Sequence, residues 1–88
     1  MSRLLTWTDN GWDDYVWWQD QDRKTLRRIN KLIEDAQRQP FTGLGKPEPL
    51  RGNLSGYWSR RINDIDRLVY SVTDSALTIV MCRYHNQL

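Results

Sequence analysis

The sequence predicts an α+β fold, with two N-terminal helices packed on one face of a small, mostly antiparallel four-stranded sheet. The chain has 88 residues, enough for one domain with a modest core. Its apolar residues recur first at helical and later at strand spacing, and a glycine- and proline-rich loop separates the two patterns. We therefore expect the order β-α-α-β-β-β in a single domain spanning residues 1–88.

The N-terminal half begins with a short strand and a first helix. Leu4 to Trp7 is a β-type run, and Thr8 or Asp9 can cap the helix that follows. The i, i+3, i+4 and i+7 spacing predicts that the helix face towards the core contains Trp12, Tyr15, Val16 and Gln19.

A second helix is predicted between a cap at Asp20 or Asp22 and a stop at Pro40. Its apolar stripe is Leu26, Ile29, Leu32, Ile33 and Ala36. The opposite face is basic and contains Lys24, Arg27, Arg28, Lys31 and Arg38. Such a face is usually solvated, and contact with RNA phosphates is the alternative interpretation.

Three strands are predicted after the loop, at Tyr57–Ile62, Arg67–Thr73 and Leu77–Tyr84. β-branched and aromatic residues are frequent in all three, and polar turn residues separate them. With both helices on one face of the sheet, the other face is left for a ligand.

Composition restricts the possible functions. No apolar run approaches the roughly 20 residues that cross a bilayer, and no signal peptide opens the chain, so we expect a cytoplasmic protein. The single cysteine, Cys82, excludes an internal disulfide, and one histidine with one cysteine cannot build a structural zinc site. We expect no cofactor. The net charge of +2 does not by itself imply nucleic acid.

The loop contains a candidate site for a polyanion. Glu48 stands between Pro47 and Pro49, which restrict the backbone directions available to it. Arg51, Arg60 and Arg61 follow, and arginine offers a planar fork that suits phosphate. The alternative for Glu48 is a solvated loop acid without a role.

RNA cleavage by internal transesterification needs a base for the ribose 2′-OH, cations for the phosphate and an acid for the leaving oxygen. Glu48 is a candidate base and His85, the only histidine, a candidate acid. Arg61, Arg67 and Lys46 are candidate phosphate ligands. The alternatives are a surface histidine and an Arg67 paired with Asp64 or Asp66.

Strand alternation offers a partial check on this set. Four candidate residues are odd-numbered: Arg61, Arg67, Arg83 and His85. They can share one face of the sheet if the connecting turns contain an odd number of residues. The even-numbered residues then face the helices as core: Leu68, Tyr70, Val72, Val80, Cys82 and Tyr84. In that position Cys82 is a small buried hydrophobe rather than a nucleophile.

The runs KPEPL, NLSGYWSRRI, DRLVY and CRYH resemble the YoeB toxins of the RelE/ParE superfamily, and the resemblance extends from about Leu4 to Asn86. It implies a RelE-like fold, which is the arrangement predicted above. It also implies a small RNase that cuts messenger RNA on the translating ribosome, as the toxin of a type II toxin–antitoxin pair.

The resemblance also implies roles for individual residues. Glu48 in KPEPL matches the family's proposed general base, Arg67 in DRLVY its transition-state arginine and His85 in CRYH its general acid. The implied substrate or phosphate ligands are Lys46, Arg60, Arg61 and Tyr84. One position departs from the family: Asn86 follows the histidine, where YoeB chains typically end in a tyrosine.

The implied partners are a YefM-like antitoxin, the ribosome with its mRNA, and a second copy of the chain. Trp7, Trp17 or Trp18 are compatible with a homodimer contact, since five tryptophans in 88 residues favour core and interface roles over base stacking. Two other functions remain open: a ParE-type toxin that poisons DNA gyrase without hydrolysis, and a non-catalytic RNA-binding module.

Overall fold

The computed structural model describes residues 3–84, which form two α-helices, one short 3-10 helix (Gly52–Leu54) and one five-stranded sheet. The elements are β1 (Leu4–Trp7), α1 (Asp9–Gln21), α2 (Arg23–Arg38), β2 (Glu48–Pro49), β3 (Trp58–Arg61), β4 (Arg67–Val72) and β5 (Ala76–Met81). The strand order is β1-β5-β4-β3-β2, and only the β1–β5 pair is parallel. The α+β prediction is confirmed. A fifth strand is present because Glu48 and Pro49 pair with β3.

Side-chain caps fix where both helices begin. The hydroxyl of Thr8 accepts from the amide of Gly11 at 3.0 Å, and the carboxylate of Asp22 accepts from the amides of Lys24 and Thr25. These bonds satisfy amides that have no partner within the helix. The predicted caps at Thr8 and Asp22 are therefore confirmed.

The core lies between the helices and one face of the sheet. From α2 it receives the predicted stripe, with Ile29, Leu32, Ile33 and Ala36 buried and Leu26 partly buried. The face predicted for α1 is wrong at Trp12 and Val16, which are exposed, whereas Tyr15 packs against the core and Trp18 is buried. Gly11 explains this rotation: a Cβ there would collide with the carbonyl oxygen of Ile79, so this side of α1 lies directly on the sheet.

A register shift between β4 and β5 changes which residues face the core. Val69 pairs with Met81 and Tyr70 with Ile79, so Val80 is an extra residue. Leu68, Tyr70 and Cys82 are fully buried, and Val72 packs against the core, as predicted. The predictions for Val80 and Tyr84 are wrong: Val80 is only half-buried and Tyr84 is 50% exposed.

No helix in the described part of the chain has the length and apolar content needed to cross a membrane.

Candidate active site on the outer sheet face

The outer face of the sheet, meaning the side opposite α1 and α2, carries the candidate residues of β2, β3 and β4. Arg60 pairs with Leu68, and both are fully buried on the helix side. Their neighbours therefore point outward, because side chains alternate along a strand. Arg61 pairs with Arg67, and Glu48 pairs with Ser59. The register thus brings Glu48, Arg61 and Arg67 to one face.

Glu48 is exposed at the edge of this face. Its strand is only two residues long, and Pro49, which has no amide hydrogen, is tolerated there because β2 is an edge strand. Two backbone bonds fix the loop on either side: Leu50 donates to the carbonyl of Tyr57 at 2.9 Å, and Arg61 donates to that of Gly45 at 2.7 Å. The side chain of Glu48 therefore extends from a backbone that hydrogen bonds hold on both sides.

Lys46 and Arg61 are both exposed, and Lys46 precedes Glu48 by two residues in the chain. Lys46 has φ 53°, a left-handed conformation that turns the chain between Gly45 and the start of β2. Arg61 follows Ser59 by two residues on the same side of β3, so it is the next outward residue after the partner of Glu48. An acid and two cations are therefore concentrated at the β2–β3 edge.

Arg67 is half-buried at the start of β4. Its Nη1 donates to the carbonyls of Asn63 at 2.8 Å and of Asp66 at 3.2 Å. Within residues 3–84, the expected alternative of a salt bridge to Asp64 or Asp66 is not formed. The guanidinium has five N–H donors, and these two contacts involve a single nitrogen. Its charge can therefore act on an anion at the outer face.

Arg60 is the exception among the predicted phosphate ligands. It is completely buried and forms a salt bridge to Asp35 at 2.7 Å. It also donates to the hydroxyl of Tyr70 and to three backbone carbonyls, those of Gln39, Thr42 and Leu44. This guanidinium faces the helix side and fixes the loop after α2. We therefore correct its assignment from phosphate ligand to structural residue.

Asp35 is the buried partner of Arg60, and the sequence interpretation missed it. Burial alone would raise the pKa of this carboxyl, but hydrogen bonds from Arg60, the Leu44 amide and Gln39 outweigh burial and lower the pKa to about 2. The available signal was its position three residues after Leu32 and directly before Ala36, on the apolar face of α2, where a buried acid needs a partner.

Tyr84 lies beside Arg67, because the Arg67 amide donates to the Tyr84 carbonyl at 3.0 Å. Its exposed ring is available to a ligand, and its hydroxyl accepts from Nη2 of Arg83 at 2.9 Å. His85 and Asn86, the remaining residues singled out at this end, lie outside the described residues.

Cys82 does not belong to the reactive groups. It is fully buried, and burial raises the pKa of its thiol, which keeps the sulfur protonated. This agrees with the prediction of a small buried hydrophobe. Within residues 3–84, no three side chains among Asp, Glu, Cys and His are grouped as metal ligands.

A groove on the other side of the molecule is separate from this set. It lies between β1 and the helices and is lined by Leu5, Trp7, Tyr15, Asn30, Ile33, Glu34 and Gln37. Among residues 3–84, Glu34 is the one acid that lines the groove, and no cation does. The groove therefore lacks the charges that a phosphodiester would need, and the outer face remains the candidate site.

The sequence and the fold are both similar to known proteins. The family model of the YoeB-like toxins of bacterial type II toxin–antitoxin systems matches residues 7–86. A Toxin YoeB from Streptomyces coelicolor is 62% identical over 81 residues, which cover 92% of this chain and 96% of that protein.

Solved structures give the same result. A YoeB/ParE toxin from Agrobacterium tumefaciens superimposes with a TM-score of 0.90 at 51% identity, covering 93% of this chain and 98% of that one. Two structures from Staphylococcus aureus each cover 97% of this chain and 99% of their own. A YoeB dimer has a TM-score of 0.89 at 41% identity, and a YoeB–YefM complex has 0.86 at 40%.

Proposed function

Because this chain belongs to the YoeB-like toxins of bacterial type II toxin–antitoxin systems, we propose that it is a ribosome-dependent endoribonuclease. Its substrate is messenger RNA undergoing translation, held in the ribosomal A site. The observation that carries this proposal is the register of β2, β3 and β4, which gathers Glu48, Arg61 and Arg67 on the outer face.

Each proton transfer of the reaction is assigned to a side chain of suitable chemistry. The Glu48 carboxylate takes the proton of a ribose 2′-OH, and the resulting oxygen attacks the adjacent phosphorus. The bond from phosphorus to the 5′-oxygen breaks, leaving a 2′,3′-cyclic phosphate on one fragment. His85 gives its proton to the departing 5′-oxygen, which becomes a hydroxyl. A base and an acid of different type allow both transfers at one pH.

The cations act on the phosphate throughout. Arg61 and Lys46, both exposed at the β2–β3 edge, bind its oxygens in the ground state. Arg67 stabilises the negative charge that increases as the 2′-oxygen attacks, and its fixed backbone contacts mean that little reorganisation accompanies the reaction. Tyr84 offers an exposed ring to a neighbouring base.

Arg67→Ala provides the test of this assignment. On purified ribosomes carrying a defined message, the substitution is expected to lower the cleavage rate by about 10²-fold or more, since it removes charge stabilisation at the phosphate. The control is Arg23→Ala, which removes an exposed arginine at the start of α2 that belongs to none of the candidate sets. Equal rates for both variants would contradict the assignment.

In cells, expression without antitoxin should arrest growth, and mapped 5′ ends should lie in frame within translated regions. Intact messages together with trapped gyrase–DNA complexes would contradict the ribonuclease proposal and favour a gyrase poison. Intact messages and ribosome binding without cleavage would favour a non-catalytic RNA-binding module. These three outcomes separate the candidate functions.

The proposed partners follow from the family and from the surface. A YefM-like antitoxin inhibits the toxin, and an acidic segment of it is the natural complement to the cations of the outer face. Self-association is proposed from the dimeric relative. Light scattering that shows only monomer at micromolar concentration would refute the dimer and leave the antitoxin proposal intact. Action on ribosomes places the protein in the cytoplasm.

A further inference from the structure

The loop that leads from α2 to Glu48 is held by a buried ion pair. Asp35 of α2 and Arg60 of β3 are both buried, and 2.7 Å separate Oδ2 of the acid from Nη1 of the arginine. The amide of Leu44 donates to Oδ2 of Asp35 at 2.9 Å, and its carbonyl accepts from Nη1 of Arg60 at 3.0 Å. Both backbone groups of Leu44 are therefore fixed, two residues before Lys46.

Two glycines show how closely this loop packs against the ion pair. A Cβ on Gly43 would collide with Oδ2 of Asp35, and a Cβ on Gly45 would lie 3.1 Å from that of Arg60. Both glycines have positive φ, 106° and 79°, which favours a residue without a side chain. The carbonyl of Gly45 also accepts from the amide of Arg61 at 2.7 Å. The backbone of the loop thus lies directly on the ion pair and on β3.

The segment after Gly45 transmits this constraint to the candidate site. Lys46 has φ 53°, an uncommon conformation for a residue with a side chain, and such a conformation persists where neighbouring contacts hold it. Pro47 follows and fixes its own φ, which limits how the chain can move between Lys46 and Glu48. The position of Leu44 therefore bears on where both side chains begin.

We propose that Asp35 and Arg60 are positioning residues for Lys46 and Glu48. Pairing with Ser59 holds the backbone at Glu48, and the buried ion pair holds the loop on the side of Lys46. Neither member of the ion pair touches the substrate, because both are buried on the helix side of the sheet. This inference rests on the proposed function, since it concerns the proposed base and a proposed phosphate ligand.

The Gly43→Ala variant tests the inference, and Gly56→Ala is the matched control. The φ values of the two glycines are 106° and 98°, so alanine is strained at both positions. A Cβ at Gly43 collides with Asp35, whereas one at Gly56 has nothing within 4 Å. The comparison therefore isolates displacement of the loop from the ion pair.

Single-turnover cleavage at increasing toxin concentration separates positioning from loss of folded protein. Gly43→Ala is expected to lower the maximal rate by about 10-fold or more, because misplacing a reacting group is costly even over short distances. An unfolded fraction would instead raise the toxin concentration that gives half the maximal rate and leave the maximum unchanged. A wild-type maximal rate for Gly43→Ala, or an equal loss for Gly56→Ala, would overturn the inference.

Variants of Asp35 test the ion pair directly. Asp35→Ala should lower the maximal rate, and Asp35→Asn should recover part of it because the amide oxygen can still accept from Leu44. The control is Glu34→Ala, which removes an exposed acid from the same helix and should retain the wild-type rate. A wild-type maximal rate for Asp35→Ala would refute the positioning role. If that variant fails to fold, the glycine pair provides the test.

Hydrogen exchange provides a measurement that does not depend on cleavage. The amides to follow are those of Leu44, which donates to Asp35, and of Arg61, which donates to Gly45. Both should exchange faster in Gly43→Ala than in Gly56→Ala, and equal exchange would refute the proposed hold on the loop. If the wild-type protein cuts no message, the proposed function is wrong, and the exchange comparison still decides whether the ion pair holds this loop.

Discussion

Replacing Arg60 with methionine is expected to destabilise the protein by about 3–5 kcal/mol, whereas the same change at Arg61 should cost within about 0.5 kcal/mol. The two arginines are adjacent in β3, yet Arg60 is fully buried and Arg61 is exposed. Methionine removes the charge and all five donors but retains much of the aliphatic volume. The comparison therefore isolates what the buried guanidinium contributes.

The expected size follows from the groups left without a donor. Removing Arg60 leaves the carboxylate of Asp35 buried without its cation, and removing one partner of a buried pair costs about 3–5 kcal/mol. The carbonyls of Gln39, Thr42 and Leu44 lose their donor as well. Asp35 keeps its bonds from the Leu44 amide and Gln39, which argues against a larger value.

Urea denaturation followed by circular dichroism measures this difference, together with thermal melting. For a domain of this size each kcal/mol corresponds to about 4–8 °C, so Arg60→Met should lower Tm by about 12 °C or more. The Arg61→Met variant should have the Tm of the wild type but a lower cleavage rate. Equal stability losses for the two variants, or a wild-type Tm for Arg60→Met, would refute the structural role of Arg60.

The pH dependence gives an independent check on the same pair. The pKa of Asp35 is about 2 in the folded protein against an ordinary value of 3.8, so between these values the unfolded chain binds more protons. Wild-type stability from this group is therefore present above about pH 4 and is lost as pH falls towards 2. The Arg60→Met variant lacks this donor. The difference in unfolding free energy between the two proteins should therefore decrease as the pH falls from about 4 towards 2.

Three further predictions concern catalysis and packing. Glu48→Gln should lower the cleavage rate by about 10²–10⁴-fold, while ribosome binding measured by cosedimentation stays unchanged. Cleavage at the wild-type rate would exclude Glu48 as the base. A message with a 2′-deoxy sugar at the cut position should resist cleavage in the same assay, and cutting it would rule out 2′-OH attack. Gly11→Ala should lower Tm because its Cβ would collide with Ile79, whereas an unchanged Tm would show that α1 can shift away from β5.

The sequence by itself determined the elements whose signals are local. The caps at Thr8 and Asp22 and the apolar stripe of α2 follow from residues within a few positions of one another, and the structure contains them. Alternation along β3 and β4 allowed Arg61 and Arg67 to share one face, and the Arg61–Arg67 pairing in the structure provides it. The candidate residues could therefore be named from the pattern, but their common face depended on the strand register.

Only the tertiary structure shows that Arg60, and not Arg61, has a structural role. Arg60 and Arg61 are adjacent residues of the same type, and Arg60 has a structural role because Asp35, 25 positions before it, reaches it from α2. The rotation of α1 likewise depends on the backbone of β5, and the extra residue Val80 resets the alternation after Ile79. These features arise from contacts between distant segments, whose energies are fixed only when the helices pack on the sheet.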